Sequence, residues 1–125
     1  MFFGLNSFGG NVATVVYFVP FEIETYVPIT IDTITCQARE KWILSDNSDV
    51  ATLNRLLNPG NDAKFDSARV RVKISASNET YFIDAEGVVL TDKHSFKIDK
   101  IAFVKFAESL TKKQRHLFKM HHCEN

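Results

Sequence analysis

The sequence predicts an α+β fold: an antiparallel sheet of about six or seven strands, one mid-chain helix and C-terminal helices. Three observations carry it. Short runs of β-branched and aromatic residues alternate with polar ones between turn residues, most clearly from Arg69 to Ile98. Capping residues open helical patterns near Ser48 and Asp99. The chain has 125 residues and no linker, repeat or low-complexity tract, so residues 1–125 form a single domain. That length buries roughly two-thirds of the unfolded surface, enough for a core without staples.

Val12 to Val19 is β-branched and aromatic and reads as a central strand closed by Pro20. Glu22 to Val27 alternates charge with bulk, as a strand with one wet face does, and Pro28 breaks it. Ile29 to Ala38 also alternates, but its apolar phase slips between Ile31 and Ile34. A bulge near Asp32-Thr33 would account for the slip. Ser48 then caps a helix whose stripe is Val50, Leu53, Leu56 and Leu57, and Pro59 stops it.

Arg69-Val70-Arg71-Val72-Lys73-Ile74 reads as a strand with basic side chains out and β-branched ones in. Turns at Ser77-Asn78, Glu86-Gly87 and Asp92-Lys93 separate three further strands, giving a meander. Asp99 caps a helix with Ile101, Phe103, Val104, Phe106, Ala107 and Leu110 on its apolar face. Thr111 opens a capping box, so a second helix is expected there, carrying Leu117 and Phe118 inward.

Charge is segregated along the chain. The first 38 residues hold no lysine or arginine and carry −3, whereas residues 93–125 carry +5, within a net charge of zero. Distinct charged faces suit a domain that meets other macromolecules. Met1 is followed by no basic residue, and the best apolar stretch, Val12 to Phe21, contains Pro20 and is too short to span a bilayer. A cytoplasmic protein without a membrane segment is expected. A bridge between Cys36 and Cys123 is conceivable and would pin the tail, but they read most simply as unpaired thiols in a reducing compartment.

Motifs for chemistry are scarce. His116, His121, His122 and Cys123 resemble metal ligands, but neighbours on a helix diverge by about 100° and cannot easily share one ion. No serine elbow or activated cysteine is readable, and His94 beside Lys93 in a hairpin turn is the one central histidine. The expectation is a non-enzyme with no metal and no cofactor. Arg69, Arg71 and Lys73 could contact phosphates while Tyr81 or Phe82 stacks on bases, the nucleic-acid alternative. Glu22, Glu24 and Asp32, with Asp46 and Asp49, form the candidate partner-binding set: an anionic surface for a basic protein.

The stretch Tyr81-Phe82-Ile83-Asp84-Ala85-Glu86-Gly87-Val88-Val89, followed by Phe96-Lys97-Ile98-Asp99-Lys100 and an apolar helix, resembles the closing half of small bacterial immunity proteins. These neutralise polymorphic toxins, including those of contact-dependent growth-inhibition systems. The resemblance spans residues 65–110 and implies a protein inhibitor of a cognate toxin, possibly a nuclease. It transfers no functional residue by motif. Antidotes to nucleases are often strongly acidic, and this chain departs from that in being neutral.

Overall fold

A computed structural model describes residues 14–76 and 79–114. In chain order the elements are β1 (Thr14–Phe18), α1 (Ile34–Gln37), β2 (Glu40–Leu44), α2 (Asn47–Leu56), β3 (Val70–Ser75), β4 (Thr80–Asp84), β5 (Val88–Leu90), β6 (Ser95–Lys97) and α3 (Lys100–Gln114). One open antiparallel sheet has the order β2-β1-β3-β4-β5-β6. The architecture is α+β, with six strands and three helices among the described residues.

Strand alternation sorts the sheet into two faces. Val16, Phe18, Trp42, Leu44, Val72, Ile74, Ile83, Val89 and Phe96 point one way and meet Leu53 of α2, Leu57 at its C-cap, and Phe103, Phe106 and Leu110 of α3. The opposite face is partly roofed by Ile29 and Ile34, which pack with Val19, Val70 and Phe82. The register shifts between Val70 and Val72, and this bulge places the two valines in different layers.

The β3–β6 meander forms as its pattern predicts. Residues 22–38 do not. Glu22 to Val27 has no ladder partner among the described residues and runs as turn and irregular chain. Only Ile29 pairs, in a single parallel bridge to Arg69. The phase slip at Ile31 is a turn into α1 rather than a bulge. Thr33 Oγ1 accepts from the Thr30 N–H at 2.9 Å, Thr30 Oγ1 accepts from the Asp32 N–H at 3.2 Å, and the Ile34 N–H donates to Thr30 O. These hydroxyls satisfy the backbone locally and so compete with a strand ladder.

Other boundaries shift for identifiable reasons. Residues 40–44 form β2, with Trp42 and Leu44 inward while Ile43 stands half exposed on the other side. An apolar residue on the wet face hides the alternation. Asp46, not Ser48, caps α2: its carboxylate accepts from the Ser48 N–H at 2.8 Å. The helix α3 runs unbroken through Thr111, whose hydroxyl donates to Glu40 Oε1 instead of capping a second helix. Asp99 does cap α3, accepting from the Ala102 N–H at 3.1 Å.

Cys36 lies in α1 and is disulfide-bonded, which overturns the expectation of a free thiol there. Disulfides persist mainly in oxidising compartments, so free thiols no longer support a reducing one. Cys123, the other cysteine, lies outside the described residues, as do His116, His121, His122, Leu117, Phe118 and the Ser77-Asn78 turn. Among the described residues no helix is long and apolar enough to cross a membrane.

Asp84 ties the meander together. It is 1% exposed and accepts from the N–H groups of Asp66, Glu86 and Val88, each at 2.9 Å. Gly87 closes the same turn at φ 89°, a conformation that L side chains rarely adopt. Replacing Asp84 by alanine leaves these donors without their acceptor, and a loss of about 3 kcal/mol or more is expected in urea unfolding. Gly87→Ala should cost about 1–2 kcal/mol by the same measurement.

The helix caps give a pH signature. The backbone bond from Ser48 holds the Asp46 carboxyl below its ordinary value of 3.8. A depressed carboxylate stabilises the fold above its unfolded value and loses that contribution as pH falls through the folded one. Asp46→Asn should therefore lower the melting temperature near neutral pH, with the gap to the parent protein closing as pH falls below the ordinary carboxylate value.

Candidate functional site

Three segments distant in sequence meet where β1 ends and β2 begins. The chain leaving Phe18 turns through Pro20 and Phe21 and lies against α3, because Phe21 packs on Phe103 with ring centroids 6.0 Å apart. Between this turn, Glu40 at the start of β2 and the last turns of α3 lies a groove of about 330 Å³. Its floor is apolar: Phe18, Phe21 and Val104. Phe18 is fixed from beneath by stacking on Trp42, centroids 4.9 Å apart, so the floor is rigid before anything binds.

Carboxylates rim this floor. Glu22, Glu40 and Glu108 line the groove beside Thr111 and, as the one cation among the described residues there, Lys112. Glu40 is committed to the fold, since its Oε1 accepts from Trp42 Nε1 at 3.2 Å and from the Thr111 hydroxyl. Glu22 and Glu108 are exposed and enter no ion pair among the described residues. Aromatic floor and anionic rim together suit an amphipathic cation, with a hydrocarbon stem below and a charged head at the edge.

Of the candidate partner-binding residues, only Glu22 lines this groove. Asp46 is the α2 cap, and Asp49 accepts from Lys113 Nζ at 2.9 and 3.1 Å, which raises the Lys113 ammonium above its ordinary value. Asp32 sits in the turn before α1, on the sheet face opposite α2 and α3. Glu24 faces Arg71 electrostatically. The acidic set is thus split among a groove, a helix end and the far face. Glu108 was not singled out by sequence because it reads as the wet side of a basic helix. Its only signal is its place one turn before Lys112, on the side of α3 away from Phe103.

The basic residues of β3 also separate. Arg71 is 2% exposed, not outward as the alternation predicts. The bulge at Val70/Val72 and the Pro20–Pro28 loop enclose it, and its Nη atoms donate to Val70 O at 3.1 Å and Ile23 O at 2.8 Å. Burial pushes its guanidinium down from the ordinary value, while the nearby carboxylates of Glu24, Asp66 and Asp84 oppose that shift. Arg69 pairs with Glu86 at 3.4 Å across exposed surface. Lys73 lies over the Tyr17 ring at 5.9 Å, with Lys41 on that ring at 5.7 Å. Tyr81 faces the core rather than this stripe.

Among the described residues no group of three or more histidine, cysteine, aspartate or glutamate side chains could hold a metal. A scan against protein-family models gives no match, and searches of curated proteins and of solved structures return no similar chain.

Arg71 is the pin that holds the 20–28 loop to the sheet through Ile23. Arg71→Gln removes the Ile23 bond and leaves a mismatched polar end in its place, at a cost of about 2 kcal/mol. Amide exchange in residues 21–27 should accelerate with it, while exchange in β4 and β5 stays close to the parent protein.

Proposed function

We propose that this chain is a non-enzymatic inhibitor that binds and neutralises a cognate protein toxin, as the small bacterial immunity proteins it resembles do. The observation that carries this is the acid-rimmed groove with its fixed aromatic floor. A basic side chain of the toxin lays its stem on Phe18 and Phe21 and sets its charge between Glu22 and Glu108. Nuclease toxins fit best, because phosphate-binding grooves are cationic and carboxylates mimic the phosphates they hold.

Surfaces near the groove extend the contact. Beyond Glu22 the chain presents Tyr26 and Val27 fully or largely exposed, an apolar tip on a loop pinned by Arg71. Interfaces draw most of their energy from a few such anchors, and rim charges set the rate of encounter. No cofactor takes part. Nucleic-acid binding through β3 draws less support, since Arg71 is buried and Arg69 is ion-paired.

The gene encoding the toxin is sought beside this one, as a secreted protein with a variable C-terminal domain. Cells making that domain should survive with this chain and die without it; equal killing overturns the proposal. For the isolated pair, Glu22→Lys with Glu108→Lys should weaken binding at least about tenfold, chiefly through slower association and more so at low salt. Asp32→Lys, on the opposite face, should leave both rates within about twofold.

A further inference from the structure

A second concavity lies at the other end of the strands. β4 begins where β5 ends, and there Glu79 and Tyr81 meet the β5–β6 turn, Thr91 to His94, and the C-terminal end of α2. The cavity holds about 90 Å³, the share of roughly three waters in the liquid. Its apolar walls are Leu57, Pro59 and Phe96, and the His94 ring lies 5.2 Å from that of Phe96 at 37°.

The polar lining mixes acceptors with donors. Tyr81 donates its hydroxyl hydrogen to Glu79 Oε1 at 3.0 Å, so that hydrogen is spent. Burial, the bond to Glu79 and the charge of Asp92 all push the phenol upward, which keeps it protonated. Thr91 Oγ1 is occupied too: it donates to His94 O and accepts from the Lys93 and His94 N–H groups. The Asn54 amide nitrogen, the His94 ring and Lys93 bring donors to the lining; the acceptors left are the carboxylate of Glu79, the carboxylate of Asp92 and Asn54 Oδ1. The last is buried with no hydrogen-bond partner among the described residues. A buried acceptor without a donor is costly unless something supplies one.

We propose that this pocket binds a guanidinium group. Its hydrogens match those acceptors, its charge matches Glu79 and Asp92, and its four heavy atoms fit the volume. Its flat face suits the His94 and Phe96 rings, which a compact, strongly hydrated ammonium does not exploit. Lys93, on the rim, is the one permanent cation among the described residues that line the pocket, and it opposes binding. None of this depends on the acid-rimmed groove, which lies at the opposite end of the sheet.

Guanidinium could arrive as a free small molecule or as an arginine side chain of a protein, and two probes separate these sources. Agmatine and N-acetyl-arginine amide are titrated into the ¹⁵N-labelled full chain, with N-acetyl-lysine amide as the control. Saturable shifts are expected at Glu79, at Thr91 to Phe96 and at the Asn54 side-chain amide, with dissociation constants around 1 mM. Glu79→Gln should weaken binding about tenfold, Asp92→Asn less, and Lys93→Gln should tighten it.

Binding of agmatine alone assigns a small-molecule ligand, and binding of the capped arginine assigns a protein side chain; either supports the pocket. Absence of shifts with both probes to about 20 mM overturns it. So does equal binding of the lysine control, or shifts confined to the groove around Glu22. Asp92 is exposed on the turn, so Asp92→Asn keeps the test informative should Glu79→Gln fail to fold. A chain that binds guanidinium yet neutralises no toxin would sink the inhibitor proposal and leave this one standing.

Discussion

One buried carboxylate organises the end of the sheet where the chain makes its longest return. Asp84 collects backbone donors from two places: the loop before β3, through Asp66, and the β4–β5 turn, through Glu86 and Val88. Asp66 and Glu86 lie outside the strands, and Val88 opens β5 with its N–H turned to Asp84. The same turn needs Gly87 at positive φ, and it brings Glu86 O within 2.7 Å of Lys97 Nζ on β6. Strand pairing from β3 to β6 thus depends on a side chain that sequence presents as one more acidic surface residue. A hydrogen-bonded buried charge is tolerated only when its acceptors are filled, and here they are.

How much of this was legible follows from which forces act locally. The meander was readable because alternation, turn residues and register all agree along residues 69–98. Residues 22–38 carry the same β-branched alternation, yet threonine hydroxyls at 30 and 33 close a turn that no periodicity can reveal. β2 was invisible because Ile43 breaks the polar face, and its pairing with β1 is fixed only by tertiary packing of Trp42. Arg71 looked like a solvated cation. A one-residue bulge and a loop from 48 residues earlier decide otherwise, and neither leaves a local mark.

The candidate surfaces were less legible still. Glu22 was identifiable as an anion, but the groove needs Phe18, Glu40 and Glu108 beside it, contributed by separate elements. Asp46 and Asp49 were equally acidic on paper and are consumed by a cap and by Lys113. Charge in a sequence counts carboxylates; the fold decides which of them still face water without a partner. His94 shows the converse: isolated in the sequence, it lies in the structure beside a phenol, a carboxylate and an aromatic wall.

The chain contains a single tryptophan, and its position has an optical consequence. Trp42 is 1% exposed, its indole N–H donates to Glu40, and its ring stacks on Phe18, whose other side floors the groove. An indole held this way emits from a dry, fixed environment, with a carboxylate at its polar edge. Anything that settles in the groove disturbs Phe18, Glu40 or both, and thereby the field around the only strong fluorophore. The protein thus carries an internal reporter of that surface, one that needs no label.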